Sequence, residues 1–125
     1  MAVTYTITKE LTKENLNDLM ANAFEGGIGY WACLNNDTPT FERYYETTNL
    51  CTTDIVSNIL WDGGYVELIG VEDEGYIWQL SLAKVLKGLK MNASERPYDA
   101  DWENGDSITA DCIIQYGLFD DLIFG

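Results

Sequence analysis

The sequence predicts an α+β fold: a single, mostly antiparallel sheet of about four strands with three to four helices packed on one side. Three observations carry this. Apolar residues recur at helical spacing in several separate stretches, and they alternate with period two in others. Two of the alternating stretches are joined by a short turn that reads as a hairpin. With 125 residues and a hydrophobic fraction of 46%, the chain holds enough apolar material for one core and is too short for two. Residues 1–125 are therefore read as one domain.

Residues 3–8 (VTYTIT) alternate, with Val3, Tyr5 and Ile7 on one face, as a half-buried strand does. Thr12 then offers an N-cap, Glu14 suits the positive end of a helix, and Leu16, Leu19, Met20, Ala23 and Phe24 give an amphipathic helix over about 12–24. Gly26-Gly27 is expected to end it in a left-handed C-cap. Residues 28–34 (IGYWACL) fit a buried strand or a continued helix, and periodicity leaves both open. After a polar turn at Asn35-Asn36-Asp37 and Pro39, residues 41–48 (FERYYETT) alternate as a strand. Residues 53–61 place Ile55, Val56, Ile59 and Leu60 on one side of a short helix capped by Thr53 or Asp54.

The hairpin signal follows the turn Asp62-Gly63-Gly64. Strands over 65–71 and 76–80 are joined by Glu72-Asp73-Glu74-Gly75, whose three consecutive acids discourage edge-to-edge pairing with another chain. Ser81 caps a helix over about 82–92 with Leu82, Val85, Leu86 and Leu89 inward and a stripe of Lys84, Lys87 and Lys90 outward. Residues 93–105 read as an irregular acidic loop around Pro97 and Gly105. Asp106 or Ser107 caps a last helix to about 118, with Ile108, Cys112, Ile113 and Tyr116 inward, and the tail FDDLIFG reads as a final short strand.

The charge balance narrows the partners. There are 21 acidic and 7 basic side chains, a net charge of −14. Such a surface repels nucleic acid and anionic lipid and attracts basic proteins and cations. It also keeps a chain soluble, which requires no partner at all. Histidine is absent, which removes every His-based triad and every His-ligated metal site. The three cysteines, Cys33, Cys51 and Cys112, are odd in number and lack CxxC spacing, which fits a reducing compartment and no disulfide framework. Residues 1–10 lack the basic start and apolar run of a signal peptide, and no stretch approaches the length of a membrane span. A cytoplasmic protein without membrane contact is expected.

Candidate chemistry is thin. In the acidic stretch 95–106 (ERPYDADWENGD), Asp99, Asp101, Glu103 and Asp106 offer oxygen ligands for Ca²⁺. The EF-hand pattern nevertheless fails, because Gly105 is misplaced relative to Asp99 and the closing ligand position falls on Ala110. Pairs such as Glu42/Glu46 and Asp120/Asp121 show no sign of the two unlike environments an acid–base dyad needs, and a cysteine without histidine lacks its activating base. Gly26, Gly27 and Gly29 follow a helix instead of opening one, the wrong order for a phosphate loop. No metal, cofactor or catalytic residue is expected. The eight tyrosines and four tryptophans, set among the acids, fit a protein-binding patch aimed at a basic partner.

Two segments carry a family resemblance: Ala23-Phe24-Glu25-Gly26-Gly27-Ile28-Gly29-Tyr30-Trp31, and Thr109-Ala110-Asp111-Cys112-Ile113-Ile114-Gln115-Tyr116-Gly117-Leu118-Phe119 with the ending Leu122-Ile123-Phe124-Gly125. Asp62-Gly63-Gly64 and the Leu82–Lys90 helix with its Lys-Gly-Leu-Lys also fit. Together they resemble a largely uncharacterised family of small acidic proteins of bacteriophages, prophages and mobile elements. The chain departs from that pattern at Asp120-Asp121, where the family has a glycine followed by an acid.

The resemblance implies a phage accessory protein. Small acidic proteins of that kind often block host defence by presenting carboxylates where a basic nucleic-acid-binding protein expects phosphates. The expectation is a stoichiometric inhibitor, of the anti-CRISPR kind, acting in the host cytoplasm on a basic defence protein. Its contact residues are expected to be Glu72, Asp73 and Glu74 at the hairpin tip and Asp99, Asp101, Trp102, Glu103 and Asp106 in the loop. The alternatives are a structural or regulatory phage protein that pairs with another phage component or forms a homodimer, and a binder of a nucleotide signal. The last would draw on Lys84, Lys87, Lys90, Arg43 and Arg96.

Overall fold

The computed structural model of the chain describes residues 2–3, 9–48, 51–99 and 105–125, and for 46–48 the backbone alone. The fold is α+β. Among the described residues there is one antiparallel sheet of three strands, β1 (Ala32–Asn35), β2 (Tyr65–Gly70) and β3 (Ile77–Ser81), in the order β1-β2-β3. Five α-helices accompany it: α1 (Lys13–Asn22), α2 (Pro39–Thr48), α3 (Thr52–Trp61), α4 (Leu82–Glu95) and α5 (Ser107–Phe119). The strand read over 3–8 lies outside the described residues.

Helix α1 starts as its sequence dictates. Thr12 accepts from the Asn15 backbone N–H at 3.1 Å and Asn15 Oδ1 accepts from the Thr12 backbone N–H at 3.3 Å, a reciprocal capping box. Leu16, Leu19 and Met20 are buried on its inner face. The helix then widens into a π-helical turn over Ala23–Gly27. Gly26 and Gly27 do not adopt the expected left-handed cap, since neither has positive φ. Glycine is required at 27 for closeness instead: a Cβ there would sit 2.7 Å from the Ser107 carbonyl oxygen of α5.

Residues 41–48 are helical, not a strand. The alternating pattern also satisfies helical spacing through Phe41 and Tyr44, the first buried and the second half-buried. The start signals decide it. Thr38 Oγ1 accepts from the Phe41 backbone N–H at 3.2 Å, and Pro39 takes the first helical position, where a missing N–H costs nothing. In α3, Ile55, Val56, Ile59 and Leu60 are buried as the spacing predicts, but the N-cap is Cys51, whose thiol donates to Asp54 at 2.9 Å.

The registers Leu34↔Leu68↔Trp78 and Val66↔Leu80 set one face of the sheet against the helices. The other face, with Cys33, Tyr65, Ile77 and Gln79, is exposed. Ser81 caps α4 by accepting from the Lys84 backbone N–H. The buried face of α4 runs through Val85, Gly88 and Asn92, while Leu86, expected inward, is 40% exposed.

That face packs on α5, the central element of the fold, which also touches α1, the π-helical turn and β3. Every residue of α5 from Thr109 to Gly117 is buried. The two helices approach through bare backbone: a Cβ on Gly88 would strike the Ile113 carbonyl, and one on Gly117 the Lys84 carbonyl. Ile108, also expected inward, is 63% exposed, because it lies on the outer side of the first turn of α5, whose inner side buries Thr109 and Ala110. The tail after α5 is not a strand. Asp120 ends the helix in the left-handed conformation, and the next residues hang on a side chain of α5.

Candidate ligand pocket

The C-terminal end of α5 opens on a pocket of about 630 Å³. Its walls are aromatic: Tyr30, Trp31, Tyr76, Trp78, Phe119 and Phe124. The rings of Trp31, Tyr76, Trp78, Phe119 and Phe124 form one connected cluster. Trp31 stacks on Phe124 with centroids 4.8 Å apart and planes 7° from parallel. It meets Trp78 and Phe119 edge to face at 5.5 and 5.6 Å, and Trp78 meets Phe119 at 5.4 Å. Tyr76 lies parallel to Trp78 at 6.0 Å and remains 60% exposed. Among the described residues, the charged residues in the lining are Glu72 and Asp73. No lysine or arginine takes part.

Each wall has a local cause. Tyr76 and Trp78 are two residues apart on an extended segment and so share a face. The hairpin turn that precedes them is fixed by Asp73, whose Oδ1 accepts from the Gly75 backbone N–H at 2.9 Å and whose carbonyl accepts from Tyr76. Tyr30 and Trp31 follow the π-helical turn, which brings them over α5. There Asp111, only 8% exposed, accepts from the Tyr30 hydroxyl at 2.6 Å, Trp31 Nε1 at 2.8 Å and Gln115 Nε2 at 2.9 Å. Gln115 Oε1 in turn accepts from the backbone N–H groups of Ile123 and Phe124, each at 2.9 Å. Two polar residues one helical turn apart on a buried helix thus fix the ring of Trp31 and the strap that carries Phe124.

The same network sets the protonation of Tyr30. Partial burial, and then the hydrogen bond it donates to the Asp111 carboxylate, push its pKa up to about 12. The phenol is held as a neutral donor, a positioning role. Elsewhere, burial raises the Cys112 and Tyr116 pKa values, and Tyr44 is raised first by its hydrogen bond to Asp62.

The residues expected to contact a partner divide into three groups. Glu72, Asp73 and Glu74 are exposed at the hairpin tip, and the first two line the pocket. Asp101, Trp102 and Glu103 lie outside the described residues. Asp99 and Asp106 have structural tasks. Asp99 pairs with Arg96 at 2.6 Å and accepts from Thr109, while Asp106 caps α5 by accepting from Ile108 and Thr109 N–H groups at 2.9 and 3.1 Å. The irregular loop expected over 93–105 is partly regular, since α4 continues to Glu95 and a 3₁₀ turn spans Pro97–Asp99. Asp106 stands at the start of α5 and the pocket at its end, roughly 15–20 Å apart at 1.5 Å rise per residue. The structure does not bring the two sets of acids together.

Tyr30, Trp31, Tyr76, Asp111, Gln115, Phe119 and Phe124 are site residues that sequence reasoning did not single out. A signal existed for two of them: Asp111 and Gln115 are polar residues at i, i+4 inside an otherwise apolar helix. The two segments that carry the family resemblance also meet here, one supplying Tyr30 and Trp31 and the other Asp111, Gln115, Phe119 and Phe124. Among the described residues, no group of three His, Cys, Asp or Glu side chains is placed to hold a metal ion, and no helix is long and apolar enough to cross a membrane. Comparison with protein-family models, with curated proteins and with solved structures found no match.

Proposed function

We propose that the protein acts by stoichiometric binding, as a phage-encoded inhibitor of a host defence protein, of the anti-CRISPR kind. Its acidic surface stands in for nucleic acid, and its aromatic pocket anchors the partner. One observation carries this reading: a chain of net charge −14 places two acidic residues, and no basic one, in the lining of a large aromatic-walled pocket. Long-range attraction speeds encounter with a basic protein, and buried aromatic contacts supply the anchor that screened surface charge cannot.

A nucleotide-signal binder fits less well. The pocket's charge is of the wrong sign, Lys84 is bonded to the Gln79 carbonyl, and Lys87 pairs with Asp120 at 2.8 Å. Pairing with a phage component or with a second copy has one observation in its favour, the exposed outer face of the sheet with Tyr65 and Ile77.

The test is capture from host lysate on the immobilised protein, eluted by a salt gradient and identified by mass spectrometry. The identified protein is then assayed for nucleic-acid binding in the presence of inhibitor. A basic nucleic-acid-binding protein, displaced competitively and released by salt, is the expected result. The double reversal Glu72→Lys, Glu74→Lys, which leaves the turn-forming Asp73 in place, should abolish capture while the variant keeps its melting temperature. Capture that survives the reversal rules out the acidic-mimic mechanism.

A further inference from the structure

We infer that the aromatic pocket is an arginine-binding site: it takes the guanidinium of one arginine presented by the partner protein. The inference rests on the binding reading above and names the chemistry of the occupant. An apolar ligand would satisfy the rings but would gain nothing from the carboxylates on their rim. A cation uses both. Aromatic faces attract cations through the ring quadrupole, most strongly when tryptophan and tyrosine supply the faces, as Trp78 and Tyr76 do here.

Between the two cationic side chains, the arrangement favours arginine. Guanidinium is planar, weakly hydrated and stacks on rings, and its fork of N–H groups suits carboxylates such as Glu72 and Asp73. Ammonium is compact and strongly hydrated, so it gives up more on entering an apolar pocket. The arginine stem of three methylenes has apolar surface to cover, at Phe119 and Ile123.

Among the described residues, no arginine of the chain lines the site. The two arginines lie over other rings, Arg43 over Tyr44 and Arg96 over Tyr98. Tyr76 stands 60% exposed beside the half-buried Trp78, a costly way to display an aromatic pair unless something covers it. The occupant also matches the partner chemistry proposed above, because proteins that grip nucleic-acid backbones do so largely through arginine and lysine.

The experiment titrates the whole protein with three blocked tripeptides, glycine-X-glycine, in which X is arginine, lysine or citrulline. Binding is followed by the indole N–H signals of Trp31 and Trp78 in nuclear magnetic resonance spectra. Citrulline keeps the planar shape of arginine and removes the charge. The arginine peptide should bind saturably and about tenfold more tightly than the citrulline peptide, the factor that a cation–π contact with partial desolvation supplies. Lysine should fall between them. The variants Tyr76→Leu and Glu72→Gln, both at exposed positions, should each weaken arginine binding severalfold at unchanged melting temperature.

Equal binding of arginine and citrulline overturns the inference, as does the absence of saturable binding or a preference for lysine. The same two variants in the lysate capture separate this failure from failure of the inhibitor reading. Capture lost in the variants, with no arginine preference, leaves the pocket as the partner site and rejects arginine as its occupant. Arginine selectivity with capture unaffected supports the arginine site and rejects its use against the host partner.

Discussion

Replacing Asp111 tests whether one buried carboxylate organises the pocket. In Asp111→Leu, the indole N–H of Trp31 loses its 2.8 Å acceptor in a residue only 3% exposed, so no water can take over. Gln115 Nε2 keeps the Phe124 carbonyl and the Tyr30 hydroxyl, both at 3.3 Å, and the half-exposed Tyr30 hydroxyl turns to solvent. One orphaned buried donor costs about 1–3 kcal/mol, and the lost bonds to a charged acceptor add about as much again. The expected total is about 3 kcal/mol.

Asp111→Asn keeps one acceptor oxygen for Trp31 and Gln115, while its amide nitrogen can donate to Tyr30. Its expected cost is about 1 kcal/mol. The assay is urea unfolding followed by tryptophan fluorescence, with the slope against denaturant checked for constancy. The leucine variant should also lose the arginine peptide, because Trp31 and the strap bearing Phe124 lose their common support. Leucine tolerated within about 0.5 kcal/mol of the native chain would refute this account. Equal losses in the two variants would show that charge, and not acceptor geometry, holds the wall.

Other consequences are open to measurement. Gly88→Ala forces α4 off α5 and should cost about 3 kcal/mol in urea unfolding, since the obstructing atom is the Ile113 backbone carbonyl, which cannot turn aside. Arg96→Met breaks a pair that is largely shielded from solvent, strips Asn92 and Asp99 of a shared donor, and should cost about 2 kcal/mol by the same assay. Tyr30 has a folded-state pKa of about 12 against an ordinary value of 10.0, raised first by partial burial and then by the hydrogen bond to Asp111, so the neutral phenol stabilises the fold fully below the lower value. That contribution is lost as pH rises through the window, and the stability gap between the native chain and Tyr30→Phe should close there. Added NaCl should raise the melting temperature, because it screens the self-repulsion of a net charge of −14.

Much of the secondary structure was legible in local signals. Thr12, Ser81 and Asp106 cap the helices they were expected to cap or were among the candidates for, and the hairpin of β2 and β3 falls within a residue of its predicted limits. The misreadings have physical reasons. Residues 41–48 satisfy both the strand and the helix period, and the decision lay upstream in Thr38 and Pro39. Leu86 and Ile108 are apolar residues at positions where the packing of α4 on α5 leaves a surface. Gly26 and Gly27 were read through glycine's backbone freedom, but Gly27 is needed for its missing side chain.

The sequence by itself determined the class of the fold, the absence of histidine chemistry, and a net charge of −14, because these depend on composition and on neighbours within a turn or two. The pocket depended on tertiary structure. Its rings come from positions 30, 31, 76, 78, 119 and 124, and they meet only because α5 is buried at the centre with Asp111 and Gln115 turned toward the π-helical turn and the tail. The acids at 72–73 and those at 99 and 106 read alike along the chain. Packing separates them, placing the first pair on the rim of an aromatic pocket and consuming the second in an ion pair and a helix cap, since a carboxylate's role is set by the donors that the fold brings to it.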